Sequence, residues 1–280
     1  MISELMTPTF GPSRAESRSF LFKNKYQFAM QEGNTRDILW IKIEKALNTE
    51  GCPICSIIKN STEHYLENLL YEYVLDVSLR EKLHKSFGFC QRHAYLATKI
   101  RERLNDDGLK IAMLYETITS DEIGRLKDLE KIFISERKKF PVKRSLKKGK
   151  FVENFKPRGE CPACFQERMT ESLYIDDFRA RSNEKEFREL YGRDAVILCR
   201  GHFVMLLENC LRFNALDEFD FFLKMQIEKL EKILKALTSF IDKHDYRKRE
   251  SINEFEARSW RFVVEYFSGK KDVKSRWDEV

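Results

Sequence analysis

Seven cysteines and five histidines occur in the 280 residues, and eight of these side chains stand at spacings that could hold metal ions. Cys52, Cys55, Cys90 and His93 are matched, 109 residues on, by Cys161, Cys164, Cys199 and His202. Each set reads Cys-Pro-x-Cys, then 34 residues, then Cys-x-x-His. Three thiolates and one imidazole suit a borderline-soft ion at tetrahedral geometry, a structural zinc set with metal-to-sulfur distances of about 2.3 Å. Four protein ligands fill zinc's shell and leave no position for water or substrate, which argues for structure over hydrolysis at the metal. The competing assignment is an iron-sulfur cluster in each set, because cysteine is its usual ligand and paired centres suit electron transfer. Thiol redox chemistry and metal transfer also fit these residues. We expect two zinc ions, each closed within its own copy, because the same 34-residue separation in both is then simplest to explain. The other pairing, in which Cys-Pro-x-Cys of one copy completes Cys-x-x-His of the other, stays open.

The ligands must be delivered by turns and helices. Proline after the first cysteine of each set suits a tight turn that aims two sulfurs at one point. Residues 36–48 have helical spacing and lead to Gly51 and Cys52; Ile57, Tyr65, Leu66, Leu69, Leu70 and Tyr73 continue it over about 56–74. A shorter helix is expected over 78–85, and Gly88 breaks the chain before Cys90. Cys90-Gln-Arg-His93 opens the next helix, where residues three apart share a face and where the helix N-terminus favours thiolate. Tyr65/Tyr174, Leu66/Ile175, Leu69/Phe178 and Phe89/Leu198 also match at the 109-residue offset, which points to gene duplication. Two long amphipathic stretches follow, about 109–136 and 214–244. The first carries Leu109, Met113, Ile118, Ile123, Leu126, Leu129 and Phe133. The second carries Leu216, Phe219, Leu223, Leu230, Ile233, Leu237 and Phe240, interrupted by Gln226. Both stripes are expected in a common core. Ile252, Phe255, Trp260, Val263 and Phe267 predict a last helix before Gly269.

The expected fold is therefore an all-α, internally duplicated helical protein with two metal modules. Its expected divisions are a partly irregular segment over 1–35, modules over 36–136 and 160–247, a basic linker over 137–159, and a C-terminal helix and tail over 248–280. With 42% hydrophobic and 34% charged residues, the chain has a globular balance and not the signature of disorder. Only 11 Gly and 6 Pro leave few sites for frequent turns. The first thirty residues hold no apolar stretch of signal-peptide length and no segment approaches a spanning helix, so a cytoplasmic, non-membrane protein is expected. In a reducing compartment, closely spaced thiols read as ligands sooner than as disulfides.

Several residues that resemble functional groups have plainer readings. Cys210 lies eleven residues beyond Cys199, about 16 Å along a helix, so a buried free thiol is expected. His64 and His84 have Leu173 and Arg193 at the matching places, and His244 sits among charged residues, so none is expected at a metal. No glycine-rich phosphate loop, nucleophile elbow or His-Glu-x-x-His helix occurs, and no residue is assigned to catalysis.

The segments Cys52-Pro-Ile-Cys55, His64 to Val74 and Gly88-Phe-Cys-Gln-Arg-His93 resemble an uncharacterised prokaryotic family with a domain of unknown function. Members share tandem Cys-Pro-x-Cys and Phe-Cys-x-x-His pairs. The resemblance covers about 36–268 and implies a shared fold and metal set, but no activity. Ile197-Leu198 in place of Gly88-Phe89 sets the second copy apart.

A binding or scaffold role then leaves nucleic acid or protein as candidate partners. Arg137 to Arg158 holds ten cations against Glu153, a net +9 in a chain of net +6, so the remainder carries −3. Phe140, Phe151 and Phe155 interleave, as in surfaces that grip phosphates and stack bases; a solvated linker is the plain alternative. If the segment binds nucleic acid, neutralising Lys143, Arg144, Lys147 and Lys148 will abolish salt-sensitive binding in a mobility-shift assay. Unchanged binding would discard that role.

Overall fold

Scarce glycine and proline and a strong helical periodicity give a chain made of helices. The computed structural model describes residues 38–138, 155–244, 251–271 and 273, the side chains of 135–138 aside. Lys143, Arg144, Lys147 and Lys148 lie outside the described residues. Ten helices and no strand occur among those described: α1 (Ile38–Leu47), α2 (Pro53–Glu72), α3 (Val77–Ser86), α4 (Gln91–Arg103), α5 (Leu109–Lys138), α6 (Pro162–Arg181), α7 (Lys185–Tyr191), α8 (Arg200–Arg212), α9 (Leu216–Lys243) and α10 (Glu254–Ser268). None is long and apolar enough to cross a membrane. The chain divides at Ile38/Leu39 into two units, and the described residues, Ile38 apart, belong to the second.

The bounds of α2 and α6, and of α4 and α8, fall at the same 109-residue offset as the cysteines. Pro53 and Pro162 occupy the first turn of α2 and α6, where a missing N–H leaves no hydrogen bond unmade. Asp76 caps α3 by accepting from the Leu79 N–H at 2.7 Å. That helix ends in two left-handed residues, Phe87 and Gly88 (φ 55° and 93°). A Cβ on Gly88 would lie 2.6 Å from the Tyr115 ring, which packs over this turn while its hydroxyl accepts from the Phe89 N–H. Asn253 and Glu256 close a capping box on α10.

Packing crosses the midpoint of the chain. Helix α2 lies against α6, with α4 on α2, α8 on α6, and α9 against both α8 and α10. One core joins Trp40, Ile43 and Leu47 to Phe178, Phe187, Leu206 and Phe222. Phe187 meets Phe178 edge-on at 5.2 Å and stacks on Tyr191 at 5.7 Å. A second core gathers Leu66, Leu69, Leu83, Ile100, Leu114 and Ile118 and takes in Cys161 and Ala163 from the other half.

The two long helices depart from the expected core stripes. In α9 the buried face is Phe222, Gln226, Lys229, Ile233 and Ala236, while Leu216 is exposed. The polar members of that face are tolerated because carbonyls meet them. Gln226 donates to the Leu198 carbonyl at 2.9 Å, and the Lys229 ammonium donates to those of Tyr191 and Arg193 at 2.6 and 2.7 Å. Among the described side chains of α5 only Leu114 and Ile118 are buried, whereas Ile123, Leu126 and Phe133 stay exposed. In place of one common core, α9 enters the first core through Phe222, and α5 enters the second through Leu114 and Ile118.

Lys229 is 2% exposed, and burial pulls its ammonium down from 10.5 to about 8. Between those values the unfolded chain keeps a proton that the folded chain has released, so stability rises with pH across the window. Relative to Lys229→Met, the wild-type protein should gain on the order of 2 kcal/mol between pH 8 and pH 10.5. Urea unfolding of both proteins at the two pH values measures it, and a constant difference would contradict this reading.

Candidate metal centres

The four cysteines that begin the paired motifs share one place in the fold. Cys52, Cys90, Cys161 and Cys199 are the N-cap residues of α2, α4, α6 and α8, and none of their sulfurs caps its own helix. Each carbonyl still accepts the first helical hydrogen bond, from Ser56, Ala94, Phe165 and Phe203. The second ligand of each pair, Cys55, His93, Cys164 or His202, follows three residues later, on the face above the cap. All eight side chains therefore stand at helix N-termini, where free N–H groups and the helix dipole stabilise negative sulfur.

They converge in two quartets, and the pairing corrects the expectation of closure within each copy. Cys52 and Cys55 meet Cys199 and His202; Cys161 and Cys164 meet Cys90 and His93. Within each quartet the ligand atoms all lie within 4.8 Å of one another. In the first, His202 Nδ1 is 3.3 Å from the sulfurs of Cys52 and Cys55 and 3.2 Å from that of Cys199, while Cys55 and Cys199 are 3.8 Å apart. In the second, His93 Nδ1 is 3.2, 3.6 and 3.4 Å from Cys90, Cys161 and Cys164, and Cys90 and Cys164 are 3.6 Å apart. The reason for the exchange is the antecedent packing: α2 and α6 lie together, so each brings its N-terminus to the helix that follows the other's turn.

Backbone ties hold the loops in register. Gly51 (φ 80°) donates to the Ala195 carbonyl at 2.8 Å and accepts from Ile197 at 3.3 Å, joining the approaches to Cys52 and Cys199. At the second quartet, Arg158 and Gly159 donate to the Lys85 carbonyl at 2.7 and 3.0 Å. The substitution of Ile197 for Gly88 follows from this difference: one approach is an extended bridge, the other a left-handed turn.

Neither quartet can carry three bare thiolates in so small a volume. Burial pushes the Cys52 thiol up, but its contacts with Cys199, Cys55 and His202 outweigh that and hold it well below the usual range. Cys55 is pushed well above it by Cys199, Cys52 and burial. Cys90 is likewise held down by Cys161 and Cys164, against burial, and Cys164 is pushed up by Cys161, Cys90 and burial. Burial pulls the His93 imidazole down, yet contacts with Cys161, Cys90 and Glu167 carry it up to about 11. Each quartet thus shares protons among its sulfurs and imidazole, and a divalent cation could take their place.

A second layer of residues was not foreseen. His202 Nε2 meets Glu171 Oε1 at 2.9 Å, and His93 Nε2 lies 3.1 Å from Glu167 Oε1. The second contact is an ion-pair approach and not an in-line hydrogen bond. Arg92 grips both oxygens of Glu167, and the Thr62 hydroxyl donates to it at 3.3 Å. Carboxylates behind histidines orient the ring and fix which nitrogen faces the metal. Their only signal in the sequence is register, because Glu167 and Glu171 lie three and seven residues after Cys164 on a helix.

The remaining candidates lie apart from the quartets. Cys210 is fully buried in the core outside both quartets, with its thiol pushed up to about 11 by burial. His64 contacts Asn68, His84 contacts Thr117 and Asp121, and His244 packs on Phe240; none reaches a quartet.

The description "Family of unknown function (DUF6062)" matches residues 34–257. The chain belongs to the DUF6062 family. The match begins just before α1, ends within α10 and takes in all eight paired ligands. A protein of Caldicellulosiruptor sp. (strain Rt8B.4), described as an uncharacterized 23.9 kDa protein in xynA 3'region, is 27% identical over 224 residues, covering 79% of this chain and 96% of that protein. No solved structure matches.

The pairing is tested by double substitutions in the zinc-loaded chain. Cys52→Ser with Cys199→Ser damages one quartet and should leave about one ion per chain; Cys52→Ser with Cys90→Ser damages both and should leave about none. Elemental analysis after gel filtration reads the difference, and the reverse outcome would restore closure within each copy.

Proposed function

We propose that each quartet holds one zinc ion and that the two ions staple the halves of the chain into a rigid helical scaffold for binding. The observation that carries this reading is that every quartet takes two ligands from each half. A tetrahedral zinc with sulfur at about 2.3 Å and nitrogen at about 2.05 Å needs edges of about 3.8 Å between sulfurs and about 3.6 Å from sulfur to nitrogen. The measured sulfur pairs, 3.8 and 3.6 Å, and the sulfur-to-nitrogen contacts of 3.2–3.6 Å fit that tetrahedron. An iron-sulfur cluster fits less well. Its ligands attach to different irons with sulfides between them, whereas donors all within 4.8 Å of one another enclose room for one ion.

With all four positions filled by protein, zinc here would stabilise sulfur anions and fix helix N-termini. Glu171 would hold His202 with Nδ1 toward the ion, and Glu167, anchored by Arg92, would do the same for His93. Such a staple favours the folded state directly, because the unfolded chain has no preformed site. A scaffold role follows: the fold presents helix surfaces for nucleic acid or protein, with no open coordination position for a reacting molecule.

Protein purified without oxygen should be colourless and contain about two zinc ions per chain by elemental analysis. Stripping them with a strong chelator should lower the thermal midpoint by more than about 10 °C. Iron with visible absorption, or a metal-free chain of unchanged midpoint, would overturn the assignment.

A further inference from the structure

The two quartets match in ligand types and nearly match in spacing, yet they differ in access. In the first, Cys52 and Cys55 are each 1% exposed, Cys199 5% and His202 3%. In the second, His93 and Cys161 are buried, but Cys90 and Cys164 are only half-buried. The cause lies in what covers each site. Cys52, Cys55 and Cys199 belong to the core that includes Trp40, Ile43 and Leu47 of α1. The end of α10 closes over them: a Cβ on Gly269 would lie 3.7 Å from the Cys55 sulfur, and Lys270 donates to the Glu50 carbonyl and the Ser56 hydroxyl. At the second quartet, residues 156–160, which lead into Cys161, are exposed, and Cys90 and Cys164 pack only at the margin of their core.

We propose that Cys90 and Cys164 are an oxidation site: peroxide joins them in a disulfide and frees the second ion, while the first quartet keeps its own. This rests on reading the quartets as zinc sites. The two sulfurs are 3.6 Å apart, so joining them needs a shift of less than 2 Å toward the usual bond length of about 2.05 Å. One thiolate attacks hydrogen peroxide, forming a sulfur–oxygen bond as the oxygen–oxygen bond breaks and hydroxide leaves. The other thiolate attacks that sulfenic sulfur, forming the sulfur–sulfur bond and expelling a second hydroxide. Two cysteines lose two electrons, peroxide gains them, and solvent protons convert both hydroxides to water. The ion is left with Cys161 and His93 alone and dissociates.

The first quartet serves as an internal control. Cys55 and Cys199 occupy the matching places at 3.8 Å, so the donor types and the sulfur spacing nearly match while the path from solvent differs. Sulfur oxidation follows both thiolate character and exposure, and here exposure is the variable.

The test uses the full chain loaded with zinc and exposed to hydrogen peroxide, with released zinc followed by a chromophoric chelator and disulfides mapped by mass spectrometry. One ion should leave first, in step with a Cys90–Cys164 disulfide, and the second should leave at least about ten-fold more slowly. Release of both ions together, or a Cys55–Cys199 disulfide formed first, overturns this proposal and leaves the zinc reading intact. A chain that carries no zinc before peroxide is added fails the zinc reading itself, and this proposal with it.

Discussion

Both quartets depend on four helices beginning with cysteine. A helix N-terminus offers unpaired N–H groups and a partial positive charge, and an oxygen-bearing side chain usually answers both. Here sulfur stands at the cap and turns away to a shared point. Two helix N-termini aimed at one small volume concentrate three sulfurs and an imidazole, and that arrangement is costly unless positive charge sits among them. The geometry and the residue types are both compatible with a bound cation.

Exchange of ligands between halves turns a local motif into a tertiary constraint. Had each copy closed its own site, an ion would fix a loop of 34 residues and leave the two copies free to part. With the exchange, longer loops are closed: Cys55 meets Cys199 across 144 positions and His93 meets Cys161 across 68. Closing a loop in the unfolded chain costs more entropy as the loop grows, although slowly, so a staple across the longer one constrains more. The two larger cores agree with this reading, because both draw residues from each side of the midpoint.

Much of this was legible in the residues. Periodicity placed the helices within a few residues of those observed, but Cys-Pro-x-Cys, expected as a tight turn before a helix at about 56, is the cap and first turn of that helix. The pairing was not legible, since a 109-residue offset is the same whichever copy completes which site. The core face of α9 was also hidden. Gln226 read as an interruption of an apolar stripe and Lys229 had no place in it, yet their partners are carbonyls of residues 191–198, which no helical periodicity reveals. The stripe of α5 failed for the opposite reason: apolar spacing states what a helix can bury, and not whether a neighbour arrives.

The carboxylates behind the histidines show where the symmetry of the sites ends. At the 109-residue offset, Glu171 corresponds to Thr62 and Glu167 to Ile58. Both glutamates thus belong to α6, one turn or about 6 Å apart, and α2 contributes only the Thr62 hydroxyl that donates to Glu167. One helix orients the imidazoles of both quartets while supplying two sulfurs to the second. A shift of α6 along its axis would disturb both histidines together, whereas a shift of α2 would disturb the sulfurs of the first quartet and leave the second its ligands. The two sites are alike in donors and unlike in support, and it is the helix that places no carboxylate behind a histidine, α2, whose cysteines lie deepest in the core.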